Sequence, residues 1–214
     1  MESVTRPDLI RRDDPATFDL INQGKASVLA DFANGSEKAA LTQLICRADL
    51  VIESSRPRAL KHLGIDAEAL VREVPGLVWL SVTGHGASGE AANWTGIGND
   101  CGVAGGLSRA MEQAGGGMGY VGDAIADPLT GITAALAGWR ALQSGKAQRI
   151  GIGMSAVAAL ALSEEREHDP AAIENELCEW GLAKGRRFPH VPRRAMYADV
   201  RDLGADTAHW LAPC

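Results

Sequence analysis

The chain has 214 residues, enough for one domain or one and a half with a core of its own. Hydrophobic residues make up 46% and charged residues 22%, an ordinary globular composition. Lys and Arg number 21 against 27 Asp and Glu, a net charge of −6, which argues against a nucleic-acid grip built on clustered cations.

No apolar run reaches the ~18 residues of a membrane span, and the opening MESVTRPD is polar, so neither a membrane segment nor a signal peptide is expected. Cys46, Cys101, Cys178 and Cys214 are far apart with no CxxC pair. That spacing disfavours a zinc site or a disulfide framework, so no metal and a cytoplasmic, reduced protein are the expectation.

Residues 1–24 are polar and mixed in charge and read as an irregular lead-in. Ala26 to Phe32 is a short apolar run that predicts a strand. A helix follows from Ser36, its expected N-cap, with Leu41, Leu44 and Ile45 at helical spacing. Asp49 to Glu53 predicts a second strand, apolar as buried parallel strands are. Two short helices are expected near 57–63 and 66–74, then a third strand over 77–83 ending at Gly84-His85-Gly86. A helix near 99–112 and a glycine-rich loop over 114–122 lead to a strong helix from Asp127 to Leu142, closed by Gly145. A fourth strand over 148–154 and helices near 155–166 and 170–183 complete the alternation. Residues 184–201 are basic and read as an extended tail, and 203–211 as a short closing helix.

Alternating strands and helices predict an α/β fold with a mainly parallel sheet flanked by helices. In such sheets ligands bind beyond the C-terminal strand ends. The places to look are therefore the loops after Glu53, after Thr83 and before Asp127.

Asp127 supports two readings. Followed by Pro128, it has the pattern of a plain helix N-cap. A carboxylate at a helix N-terminus is also stabilised as the anion and can attack an acyl group. Gly131, one turn later, would allow close approach of a substrate. The turn Glu53-Ser54-Ser55-Arg56-Pro57 is either an ordinary strand-to-helix connection or a ligand-holding loop. Arg56, Arg58 and Lys61 are candidates for phosphate contacts, against the alternative of a solvated helix face. His85 has no catalytic partner nearby in sequence and reads as a loop residue. Asp123, four residues before Asp127, precedes the helix and is a weak acid/base partner. Neither GxGxxG after the first strand nor GxxxxGK[ST] is present.

Four segments in order resemble the family III CoA-transferases, which include formyl-CoA transferase, carnitine CoA-transferase and the α-methylacyl-CoA racemases. They are FDLINQGKASVLADF (18–32), RADLVIESSRPRALKHLG (47–64), LVWLSVTGHGASG (77–89) and IADPLTGITAALAGWRALQSGKAQRIGIGM (125–154). The resemblance implies a Rossmann-like CoA-transferase large domain over 1–183, short of the family's opening unit. It also implies a basic tail and C-terminal segment, 184–214, packing back on that domain, with the family's small second domain lacking. The family's nucleophile is the Asp four residues before the Gly of the last block, here Asp127. The implied reaction passes CoA from an acyl-CoA to a carboxylic acid acceptor through a covalent aspartyl-CoA intermediate. Coenzyme A would be held by Arg56, Arg58, Lys61, Gly84 and Gly86. The family's site lies between subunits, which implies a homodimer or a partner subunit, and no nucleic acid or membrane. The alternative is a catalytically incomplete CoA-binding module. Racemisation is disfavoured, because Gly96-Ile97-Gly98 stands where the racemases carry a His-Asp pair and Ile97 cannot exchange a proton. The segment 115–119 is not assumed to replace the family's glycine-rich loop.

Overall fold

The structure is a computed structural model that describes residues 2–3, 8–55, 57–113, 117–168, 171, 175 and 194–212. The chain divides into two compact units, Met1–Ala48 with Phe188–Cys214, and Asp49–Arg187.

In the first unit a strand β1 (Glu2–Ser3) runs parallel to β2 (Leu29–Ala30). The expected strand over 26–32 is thus only two residues long. Residues 1–24 are not an irregular lead-in, for they contain helices α1 (Leu9–Asp13) and α2 (Pro15–Asn22). Both have aspartate caps: Asp8 accepts from the Ile10 amide at 2.9 Å and Asp14 from the Thr17 amide at 3.2 Å. Pro15 sits at the first helical position, where its missing N–H costs nothing. Helix α3 (Gly35–Cys46) is capped by Asn34 rather than Ser36. The Asn34 Oδ1 accepts from both the amide and the hydroxyl of Ser36, at 3.0 and 2.8 Å.

The C-terminal segment is tied to this unit by polar groups. Buried Gln23 accepts from the Tyr197 amide at 2.6 Å. Asp206 accepts from the Ser27 amide at 2.8 Å and pairs with Arg201 at 2.8 Å. The Arg201 contact, with the Ser27 amide behind it, holds the Asp206 carboxyl below its ordinary pKa.

In the second unit β3 (Leu50–Glu53), β4 (Val78–Thr83) and β5 (Gln148–Gly153) form a three-stranded parallel sheet with β4 in the centre. Leu50 is opposite Val78, and Leu80 opposite Ile150. Between β3 and β4 lie α4 (Pro57–His62) and α5 (Ala67–Glu73). Between β4 and β5 lie a 3₁₀ turn (Glu90–Asn93), α6 (Gly98–Ala104), α7 (Leu107–Gln113) and α8 (Ala126–Ser144). After β5 comes α9 (Met154–His168). In the first unit, the short closing helix expected over 203–211 is a single turn, α10 (Thr207–Trp210). The helix expected over 170–183 and the tail over 184–193 lie outside the described residues, apart from Ala171 and Asn175.

Alternation along the strands sorts the two faces of the sheet. Leu80 and Ile152, with Leu50 and Ile150, pack against Leu129, Ala134 and Ala137 of α8 and Val157 of α9. On the opposite face Arg149 bonds Glu68 of α5 at 2.6 Å and lies 3.4 Å from the Ser81 hydroxyl. Trp79, on that same face by alternation, is 1% exposed. The expectation that β3 is buried fails at Ile52, which is 63% exposed. Among the described strands β3 pairs with β4 alone, so it is an edge. The single helix expected near 99–112 is broken into α6 and α7, because Gly106 takes φ +92°. No described helix is long and apolar enough to cross a membrane.

Candidate active site

A cavity of about 640 Å³ opens at the C-terminal ends of the strands in the second unit. Its described lining comes from Ile52 and the turn Ser54-Ser55 after β3, Val82 to Gly84 and Gly86 at the end of β4, and Met154 after β5. The loop 94–97 supplies a further wall, and the first turns of α8 supply Asp127, Thr130, Gly131, Ala134 and Ala135. This is where a parallel sheet is expected to place a ligand site.

Local sequence makes each wall. The turn after β3 is braced by Glu53, whose carboxylate accepts from the Ser55 amide and hydroxyl at 3.0 and 2.7 Å. The turn after β4 is braced by Thr83, whose hydroxyl accepts from the Gly86 amide at 3.1 Å. The Gly84 carbonyl accepts from the Ser155 amide at 3.0 Å, which joins the end of β4 to the start of α9. A Cβ on Gly84 would lie 2.7 Å from the Cα of Gly96, so this turn and the loop 94–97 meet backbone to backbone.

Asp127 is not the N-cap of α8. The helix begins one residue earlier, at Ala126, and Ile125 precedes it without a side-chain cap bond. Asp127 is an exposed second residue of the helix, and its amide donates to the Ala124 carbonyl at 2.9 Å. Pro128 is still in the first turn, where a missing N–H is tolerated. The carboxylate lies over the first residue of α6: a Cβ built on Gly98 would come within 2.5 Å of Asp127 Oδ2. The first turns of α6 and α8 therefore flank one carboxylate. Helix starts present amide N–H groups and favour negative charge.

Asp127, Gly84 and Gly86 line one cavity, as does Gly131, beside which a Cβ would meet nothing within 4 Å. Lys61 is exposed on α4 and is not among the described lining residues. Arg56 and the side chain of Arg58 lie outside the described residues. Asp123 is exposed and precedes α8, as expected.

His85 sits between the two glycines with its ring edge against Trp94, centroids 5.8 Å apart. Its Nε2 is 4.0 Å from the Sγ of Cys101, and an Asp100 carboxylate oxygen completes a cluster within 4.8 Å. The members of this cluster are already engaged. The thiol donates to the Gly84 carbonyl at 3.4 Å, and Asp100 accepts from the Ile97 amide at 2.8 Å. Cys101 is wholly buried, and burial, with the Asp100 and Asp127 carboxylates adding, pushes its pKa up to about 11.

The sequence reading missed Trp94, Thr130 and Met154 as lining residues, and considered Ile97 only as the residue in the racemases' His-Asp position. Trp94 and Ile97 sit in an irregular loop with no periodic pattern to expose them. Thr130 was within reach, because it lies on the same helical face as Asp127, three residues on.

Comparison with known proteins gives the family of the chain. The family model described as CoA-transferase family III matches residues 1–184. A succinate–glutarate CoA-transferase from Agrobacterium fabrum is 32% identical over 155 residues, covering 70% of this chain and 38% of the relative. A formyl-CoA:oxalate CoA-transferase from Bradyrhizobium diazoefficiens is 28% identical over 164 residues, covering 71% of this chain and 37% of the relative. The crystal structure of a CAIB/BAIF family protein from Brucella suis superposes with a TM-score of 0.69 at 27% identity, covering 80% of this chain and 49% of that one. The chain spans well under half the length of these two curated relatives. It belongs to CoA-transferase family III.

Proposed function

We propose that this member of CoA-transferase family III moves coenzyme A from an acyl-CoA to a carboxylic acid, with Asp127 as the covalent nucleophile. The observation that carries the reading is the freedom of the Asp127 carboxylate. It makes no capping bond to its own helix, yet it is exposed at the strand-end cavity between two helix starts.

An Asp127 oxygen attacks the thioester carbonyl and expels the CoA thiolate, leaving a mixed anhydride. The thiolate then attacks the aspartyl carbonyl, which releases the donor's carboxylate and leaves an aspartyl-CoA thioester. The acceptor carboxylate attacks that thioester, and the CoA thiolate leaves again. Its final attack on the acceptor's acyl carbonyl gives the new acyl-CoA and frees Asp127. No net redox change or added cofactor is required. Splitting one hard exchange into easier acyl transfers is the advantage of covalent catalysis.

In this reading Gly84 and Gly86 let the pantetheine arm run close to the backbone at the end of β4. Arg56, Arg58 and Lys61 would meet the CoA phosphates, and a second copy or a partner chain would close the open side of the cavity. The competing reading is a CoA-binding module without turnover.

The test is intact-protein mass spectrometry after incubation with acetyl-, succinyl- or hexanoyl-CoA, with borohydride added to reduce an aspartyl thioester. Reduction mapped to Asp127 is the expected result. Saturable CoA binding with no modification, in protein shown to be folded, would replace this reading with the binding module.

A further inference from the structure

We propose that Gly98 and Asn99, the first two residues of α6, are positioning residues that set the Asp127 carboxylate in its working place. The inference rests on the nucleophilic reading of Asp127 and extends it to a second element.

The segment before α8 is strained. Ala124 has φ +51° and is the only non-glycine residue with positive φ among the described residues. A side chain is disfavoured there, so something must hold the turn. Asn99 does so: its Oδ1 accepts from the Ala124 amide at 2.8 Å. The Ala124 carbonyl in turn accepts from the Asp127 amide at 2.9 Å. A chain of two hydrogen bonds thus runs from the side chain of Asn99 through one residue to the backbone of Asp127.

Gly98 acts by close approach. A Cβ there would lie 2.4 Å from the Ala124 carbonyl oxygen, 2.5 Å from Asp127 Oδ2 and 2.7 Å from the Ala124 Cβ. All three are closer than real Cβ contacts come, and two belong to the strained residue itself. Any side chain at 98 must therefore displace the turn, the carboxylate or both. The φ of Gly98 is outside the left-handed range, so the demand for glycine here is one of space and not of backbone freedom.

This accounts for the way Asp127 escapes a capping role. By fixing Ala124 in a left-handed turn, α6 starts α8 at Ala126 and leaves the carboxylate free. A nucleophile displaced by an ångström loses much of its effective molarity, so the effect falls on the rate of acyl transfer more than on donor binding.

The experiment measures the rate of Asp127 labelling, and the donor concentration giving half the maximal rate, with the best-labelling donor among acetyl-, succinyl- and hexanoyl-CoA. Asn99→Leu is expected to label at least tenfold more slowly at saturation, with the half-saturating concentration within twofold of wild type. Adding Ala124→Gly, which adopts a positive φ without strain, is expected to recover at least threefold of that loss. Gly98→Ala is expected to label at least a hundredfold more slowly. Wild-type labelling rates in Asn99→Leu would overturn the inference and leave the nucleophile standing. So would an equal loss with and without Ala124→Gly, because a merely structural defect has no reason to be relieved at that residue. If the wild-type protein itself is never labelled at Asp127, this inference and the proposed function fall together.

Discussion

Replacing Asp127 by alanine separates a nucleophile from a helix cap by magnitude. A true N-cap aspartate lost to alanine costs about 0.5–2 kcal/mol. Asp127 lies inside the first turn of α8 and makes no cap bond, so that cost does not apply. Its favourable interaction with the helix dipole, about 0.3–1 kcal/mol, is lost. Alanine returns up to about 0.7 kcal/mol through its higher helix propensity. The two nearly cancel, leaving a net change within about 0.5 kcal/mol. For a chain of this length that is a shift in Tm of about 2 °C or less. Over the same substitution, labelling by acyl-CoA with borohydride should fall to nothing, because the attacking oxygen is gone. Calorimetry and mass spectrometry on one preparation test both halves. A drop of about 2 kcal/mol or more would refute the placement of Asp127 outside the cap, and retained CoA transfer would refute its role as nucleophile.

Four further outcomes follow from the same physics. Asp14→Ala removes a real cap with the same local sequence and should destabilise its unit, read as faster amide exchange in α2, and unchanged exchange would contradict the cap. Asp206 is held below its ordinary pKa by Arg201, so its contribution is full above the usual carboxylate range and is lost as pH falls through the lowered value. Acid titration of Tm should show that loss in the wild type and a flatter profile in Asp206→Asn, and identical profiles would remove the pair from the account. Cys101 keeps its proton to about pH 11 in the fold against an ordinary 9.0, so stability should decline as pH rises between those values, less so in Cys101→Ala. In the native state iodoacetamide should modify exposed Cys46 and spare Cys101, and equal rates would contradict the burial.

Much of the second unit was legible because its signals are local and redundant. β4 is a mainly apolar run between turn residues, β5 alternates Ile150 and Ile152 after Gln148-Arg149, and α8 combines apolar spacing with a glycine that takes φ +64° at its end. The first unit was harder. Its opening helices α1 and α2 are five and eight residues long, too short for periodicity to accumulate, and Asp8 and Asp14 mark where they begin. The break between α6 and α7 was visible as Gly105-Gly106, yet two glycines in a glycine-rich stretch do not say which one turns the chain.

The candidate site shows where local reading stops. Asp14-Pro15-Ala16-Thr17 and Asp127-Pro128-Leu129-Thr130 share one pattern of residue types, and each opens a helix. In the first, the carboxylate bonds back to the Thr17 amide and is consumed as a cap. In the second, the helix has already begun at Ala126, so the carboxylate has no cap to make. The difference does not lie in the tetrapeptide. It lies in Ala124, held left-handed by an asparagine 25 residues upstream, and in a glycine that leaves room beside the carboxylate. A pattern of local preferences gives the cap in both places, since that is the lower-energy use of an aspartate before a proline. Freeing the second one requires a tertiary contact that sets the register of the helix start.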